Sequence, residues 1–259
     1  MTSWLATQPE LACRVEAHAV EAWPATVTER VDGGWVLRAT PGLDRGRSNH
    51  ALTPCRSLDA SELPAAIARV ETFARHHGIH AGIQVSPVSL HGELQAELDR
   101  RGWETRWPVL VLAAPRSEEV WSAHVSLQSS DHATPEWMAA WARCEPGRDV
   151  AAHLDTVFAR LAGRATFARL DDDAAVGIAV EADGLVGLFC LAVDPARRRN
   201  GLGTALVRAL LADSRAEVAY LQTEARNAPA VALYRRLGFG EAYRYCHRIA
   251  PAGWEETGK

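Results

Sequence analysis

Arg198, Gly201, Gly203 and Thr204 stand in the run Arg198-Arg199-Asn200-Gly201-Leu202-Gly203-Thr204, which follows the apolar stretch 185–193 and precedes the amphipathic stretch 205–211. That order reads as a strand, a glycine loop and a helix start. The first turn of a helix leaves main-chain N–H groups without intrahelical acceptors and carries the positive end of the helix dipole, so an anion seated there gains several hydrogen bonds together. Glycines lack a Cβ and let a ligand approach the main chain closely. The chemistry this suits is the binding of a phosphate or diphosphate. A Walker-type loop would end in Gly-Lys-Ser/Thr, but Gly203 is followed directly by Thr204; a dinucleotide loop would need a third glycine at position 206, where Leu206 stands. An ordinary glycine-bearing turn is the plain alternative.

A second group of residues follows at a fixed order. Residues 218–223 form a short apolar strand candidate, Glu224-Ala225-Arg226-Asn227-Ala228-Pro229 is a break rich in helix-start residues, and residues 230–237 read as a helix closed by Gly238-Phe239. With Asn227 and the Leu233-Tyr234 pair inside it, this segment and the loop before it resemble the two cofactor motifs of the Gcn5-related N-acetyltransferases (GNAT).

The resemblance covers roughly the second half of the chain. It implies an α/β (more narrowly α+β) acyl-CoA N-acyltransferase fold, with a mixed, largely antiparallel sheet flanked by helices. It also implies acetyl-coenzyme A as co-substrate, no metal, and transfer of the acetyl group to a primary amine by direct attack in a ternary complex. Carried onto this chain, Arg198, Arg199, Asn200, Gly201, Leu202, Gly203 and Thr204 hold the diphosphate. The main chain of Leu191, Ala192 and Val193 bonds the pantetheine amides, and Asn227 contacts the same arm. Tyr234 lies at the cofactor as proton donor to the departing thiolate, since a phenol of pKa about 10 is protonated at neutral pH; a core tyrosine on the face of Val231, Leu233 and Leu237 is the other reading.

The general base departs from the family pattern. Many relatives carry a glutamate on the strand before the loop, and 188–193 here reads Leu-Phe-Cys-Leu-Ala-Val. Glu224, Glu181, His50 or a water chain are the options, with Glu224 taken first. Trp137 and Trp141 lie four apart on one helical face near Asp131, His132 and Glu136. They read either as an aromatic wall for a cationic amine or as core packing.

The elements that must position these residues follow from pattern. Residues 120–127 alternate like a strand, Thr134-Pro135-Glu136 opens a helix, and 150–161 gives another, stopped by Gly163. Strands are expected at 165–170, 174–181, 185–193 and 241–249. A chain of 259 residues suits two domains, and Ala113-Ala114-Pro115-Arg116-Ser117-Glu118-Glu119 is the best linker, giving domains 1–114 and 115–259. The first part reads as a worn copy of the second, with chance similarity between two αβ units as the alternative. A shift of 136 positions lays Leu98-Asp99-Arg100-Arg101-Gly102-Trp103 on Tyr234-Arg235-Arg236-Leu237-Gly238-Phe239, and puts Glu62, Ala65, Ile67 and Leu98 opposite Arg198, Gly201, Gly203 and Tyr234. A carboxylate at the anion position repels a diphosphate, so one cofactor site is expected. The loop 42–50 reads either as a cover for the acceptor or as solvated surface.

Composition narrows the partners. The formal net charge is −4, which indicates no broad basic surface for nucleic acid. No stretch is long enough to span a bilayer and residues 1–9 do not form a signal sequence, so a cytoplasmic monomer or homodimer acting on a small-molecule amine is expected. Five widely spaced cysteines without Cys-x-x-Cys pairs are expected as reduced, buried thiols rather than a disulfide framework or zinc site. Three other readings stay open: a non-catalytic acyl-CoA sensor, an acetyltransferase acting on protein lysines or amino termini, and a nucleotide-dependent enzyme.

Overall fold

The computed structural model of the chain describes residues 9–254, apart from 119–120, 123–124, 126, 148–149, 162–163 and 171. In chain order the elements begin with α1 (Pro9–Ala22), β1 (Val27–Arg30), β2 (Val36–Ala39), α2 (Gly46–Asn49), β3 (Ala51–Leu52), α3 (Leu63–His77), β4 (Gly82–Val85), α4 (Gly92–Arg100) and β5 (Glu104–Pro115). They continue with β6 (Gln128–Ser130), α5 (Pro135–Cys144), α6 (Val150–Thr156), β7 (Ala165–Leu170), β8 (Ala175–Ala182), β9 (Leu185–Val193), α7 (Leu202–Ala212), β10 (Val218–Glu224), α8 (Ala228–Arg236) and β11 (Gly240–Ile249).

The chain forms two compact units that interleave in sequence. Residues 1–16, 23–110 and 242–259 make the first, and 17–22 with 111–241 make the second. This differs from the single boundary read after residue 114. β5 runs unbroken through Ala113 and Ala114, which are buried, so the expected linker begins inside a strand. Of the strand expected at 120–127, residues 120, 123, 124 and 126 lie outside the described residues, and 121, 122, 125 and 127 are not in a strand; the next strand is β6 (Gln128–Ser130).

In the first unit the strand order is β1-β2-β3-β4-β11-β5. β3 and β4 are parallel, whereas β1/β2, β2/β3 and β4/β11 are antiparallel. Alternation along the strands sorts the two faces. Leu37, Ile83 and Val85 join Ile67, Val70 and Phe73 of α3 and Leu94 and Leu98 of α4 in an apolar core. The intervening positions are polar yet buried: Arg38, Gln84 and His247, with Glu16 from α1 and His50 after α2.

The second unit orders its strands β10-β9-β8-β7-β6, antiparallel except for β9/β10. Thr134 starts α5 as expected, its hydroxyl accepting from Trp137 N–H at 3.2 Å with Pro135 in the first turn. Helix α7 lays Leu206, Val207, Leu210 and Leu211 into the core. It sits close to β8 because Gly177 has no Cβ; one built there would come within 2.9 Å of Leu210 and 2.8 Å of Leu191. No described helix is long and apolar enough to cross a membrane.

Candidate active site

β9 carries the first irregularity. Its register with β8 is shifted, Val176 facing Ala192 while Ile178 faces Phe189, so β9 spends one residue more than β8 over this interval. That is a β-bulge, and Cys190 within it has φ +49°, a left-handed conformation that a non-glycine residue adopts only where surroundings impose it. The bulge interrupts the regular register of β8 and β9 at this point.

The second irregularity is next to it. β9 and β10 pair in parallel from Leu185/Val218 to Leu188/Leu221. β9 then continues to Val193 and β10 to Glu224. Beyond Leu188 and Leu221 the two strands offer main-chain donors and acceptors to something other than each other, the arrangement an amide-bearing arm needs to add itself as a strand. Leu191, Ala192 and Val193 line this edge.

The edge leads into the glycine loop. Asp194 accepts from Ala196 N–H at 2.8 Å, and Arg198 Nε donates to the Val193 carbonyl at 3.1 Å, folding the loop back on the strand end. Arg199 and Gly201 both have positive φ, +70° and +80°. Gly201 is the N-cap of α7 and supplies no side-chain acceptor, and the bond from Ala205 N–H to the Gly201 carbonyl is 3.0 Å. The N–H groups of Leu202, Gly203 and Thr204 precede that bond and so lack intrahelical acceptors. By contrast α5 and α8 cap their own donors, through Thr134 and Asn227.

The two glycines do different work. A Cβ on Gly201 would meet nothing within 4 Å, so its requirement is the left-handed φ and the space beside it stays open. A Cβ on Gly203 would lie 2.9 Å from Leu233 Cδ1; the absent side chain lets α7 meet α8.

On α8, Tyr234 stacks edge-on against Phe239 at 6.1 Å between centroids. Burial pushes its phenol up to about 12, and its hydroxyl has no hydrogen-bond partner among the described residues. Asn227 Oδ1 accepts from Ala230 N–H at 3.3 Å and so serves as the helix cap. Its amide nitrogen is not engaged in that bond.

The base candidates separate. Glu224 ends β10 and bonds Arg226 Nε at 2.6 Å. Glu181 sits at the opposite end of its sheet, opposite Val186, where it accepts from Ser214 Oγ at 2.7 Å and Arg215 N–H at 3.0 Å. Those bonds fasten the chain after α7, so it is a structural anchor. His50 belongs to the first unit, buried, with Nδ1 2.8 Å from His247 Nδ1; burial and the Arg38 charge hold it down at about 3.

Trp137 and Trp141 are core. They are 1 % and 2 % exposed, cluster with Phe158 and Phe167, and Trp137 Nε1 donates to the Ala168 carbonyl at 3.1 Å. Asp131 and His132 pair with each other at 2.6 Å on the surface. Among the described residues no three His, Cys, Asp or Glu side chains form a metal cluster. Sequence reading missed the bulge at Cys190, because nothing in Leu188 to Val193 marks it, and also missed a Cys13–Cys55 disulfide, where free thiols were expected.

A family model described as "Probable histone acetyltransferase Rv0428c C-terminal" matches residues 12–248. The chain belongs to this family of GNAT acetyltransferases. It is 32% identical over 244 residues to a mycothiol acetyltransferase of Clavibacter michiganensis, a match covering 84% of this chain and 73% of that protein. Its fold is similar to that of a GCN5-related N-acetyltransferase from Kribbella flavida, with TM-score 0.64, 18% identity, and coverage of 95% of this chain and 96% of the other. It is also similar to a tandem GNAT protein from the clavulanic acid biosynthesis pathway, with TM-score 0.61, 17% identity and coverage of 93% and 88%. The chain is therefore a GNAT-type N-acetyltransferase with the acyl-CoA N-acyltransferase fold.

Proposed function

We propose that this acetyltransferase moves the acetyl group of acetyl-coenzyme A onto a primary amine of a small molecule, by direct attack in a ternary complex, with one cofactor site in the second unit. The observation that carries this is the open β9 edge running from the Cys190 bulge into the uncapped start of α7. The residues fit the group. Leu191 to Val193 supply main-chain partners for an amide arm, and Arg198 to Thr204 supply N–H groups and guanidinium charge for a diphosphate. When bound, acetyl-coenzyme A contributes an activated thioester carbonyl. Main-chain N–H groups along the β9 edge at 191–193 polarise a carbonyl placed there, a donor arrangement worth several kcal/mol where charge develops. Tyr234 Oη holds its proton throughout the neutral range and donates it to sulfur. Glu224 takes the amine proton in this reading, which requires its pair with Arg226 to open.

The first unit supports a single site. Its β3 and β4 do not part: Thr53 Oγ1 donates to the Ser86 carbonyl and accepts from Ser86 N–H, both at 2.9 Å. At the start of α3, Glu62 binds Arg56 through both carboxylate oxygens and accepts from Asp59 N–H. An acidic group already occupies the place that the repeat reading assigns to the anion. This supports a duplicated architecture with a degenerate first half, the tandem arrangement.

A relative named for a compound supports a small-molecule acceptor. A family description naming histones supports a second reading, a protein amine. In either case the enzyme is proposed to act in the cytoplasm, as monomer or homodimer, without nucleic acid or membrane. Thiol release measured with dithionitrobenzoate across small amines, amino sugars, amino acids and histone peptides tests both. Turnover with small amines alone supports the first reading, and turnover with peptides alone replaces it with the second. Absence of coenzyme A binding by calorimetry refutes the site itself.

A further inference from the structure

Cys13 and Cys55 form a disulfide in the first unit and are not among the residues proposed to carry the acetyl transfer. Cys13 lies on α1, half-buried, and Cys55 lies in the exposed loop between β3 and α3, with Cα atoms 5.6 Å apart. A second, polar link closes the same ring. Glu16, one helical turn beyond Cys13, accepts from Tyr243 Oη at 2.6 Å, Gln84 Nε2 at 3.0 Å and Ser86 Oγ. Ser86 is in turn bridged to Thr53, two residues before Cys55. The sulfur bond is thus the outer clasp, and the Glu16–Ser86–Thr53 bonds the inner clasp, of the contact between α1 and the β3–β4 edge.

We propose that Cys13–Cys55 is a reversible thiol–disulfide site, opened by a low-molecular-weight thiol at Cys55, that tethers the start of α1 when oxidised and releases it when reduced. Access decides which sulfur is attacked, since exchange requires a thiolate to approach the disulfide directly. Cys55 stands in an exposed loop, whereas Cys13 is shielded on its helix. The attacking thiolate forms a bond to Cys55 Sγ, the disulfide bond breaks, and its electron pair leaves on Cys13 Sγ, which takes a proton. A second thiol then attacks the external sulfur of the mixed disulfide and frees Cys55. Two small thiols are oxidised to one small disulfide, and two protein thiols form.

Two of the three remaining cysteines, Cys144 and Cys246, do not compete; Cys190 is half-buried. Cys144 and Cys246 are buried, and burial raises both thiols, Cys144 to about 11, which suppresses the reactive thiolate. With the outer clasp open, the contact depends on Glu16, a carboxylate that burial itself disfavours in its charged form. The start of α1 is therefore the part that loosens.

The 259-residue chain, purified in air, is alkylated under denaturing conditions before and after dithiothreitol. Three labelled cysteines before and five after are expected. Under native conditions, reduction should lower Tm by at least about 5 °C, from the loop of 42 residues that the bond closes. It should also speed tryptic cleavage after the exposed Arg14. C55S should show the lower Tm and faster cleavage without reductant, and neither should change further when reductant is added. Five labelled cysteines before reduction, a bond that native dithiothreitol leaves closed, or a reduced protein with unchanged Tm and cleavage would each overturn the proposal. None of these readouts depends on acetyl transfer.

Discussion

Replacing Tyr234 by phenylalanine separates chemistry from folding at one atom. The ring rests against Phe239 at 6.1 Å, and phenylalanine keeps that contact. The hydroxyl bonds no described residue, so deleting it leaves no orphaned partner, and stability should hold within about 0.5 kcal/mol. If Oη protonates the departing sulfur, its loss removes a general acid, typically worth about 10²–10⁴-fold, or roughly 2.7–5.5 kcal/mol in the barrier. The expected result is kcat reduced at least about a hundredfold, KM for acetyl-coenzyme A changed by less than about threefold, and Tm shifted by no more than about 1–2 °C. Because burial lifts the phenol to about 12, the wild-type rate should also show no alkaline fall from this group below about pH 11. Steady-state thiol release and thermal melts measure all three. A kcat within twofold of wild type would refute the catalytic role, and a Tm lower by many degrees would show the hydroxyl to be part of the packing instead.

Gly201→Ala should weaken coenzyme A binding at least about tenfold by calorimetry. The cost in urea unfolding should be only about 1–2 kcal/mol, because the site has room for a methyl and resists only the φ of +80°. Trp137→Ala should destabilise by about 3–5 kcal/mol, since it empties the centre of an aromatic cluster; a loss below about 1 kcal/mol would mean the ring is not core. His18 bonds Tyr220 Oη at 2.7 Å in the second unit and is held down at about 4 by burial. The unfolded chain therefore binds the extra proton first. This stability is intact above about pH 6.5 and is lost as pH falls toward 4, by about 2 kcal/mol at pH 5. His50 and His247, also depressed, act in the same direction. Equilibrium unfolding at pH 7 and pH 5 checks the sum, and a His18→Asn protein should show a shallower slope; equal stability at both values would contradict the burial of these rings.

Much of the second unit was legible because its signals are local. β7, β9 and α7 fall where apolar period and glycine punctuation place them, and Thr134 caps its helix through bonds three residues long. The glycine loop announced itself by type and spacing. Glu181 could not be placed that way, since its partners Ser214 and Arg215 are more than thirty residues away. Trp137 and Trp141 read equally well as pocket wall or core until Phe158 and Phe167 closed over them.

The sequence by itself determined the elements from β7 to β11, the uncapped glycine start of α7, and the tyrosine one helix later, since each depends on backbone preferences within a few residues. The tertiary structure alone decided where β9 bulges, where β9 and β10 cease to pair, that β11 joins β4, and that Cys13 meets Cys55. Those outcomes are set by contacts between residues distant in the chain, and no local pattern distinguishes a strand that keeps its neighbour from one that lets it go.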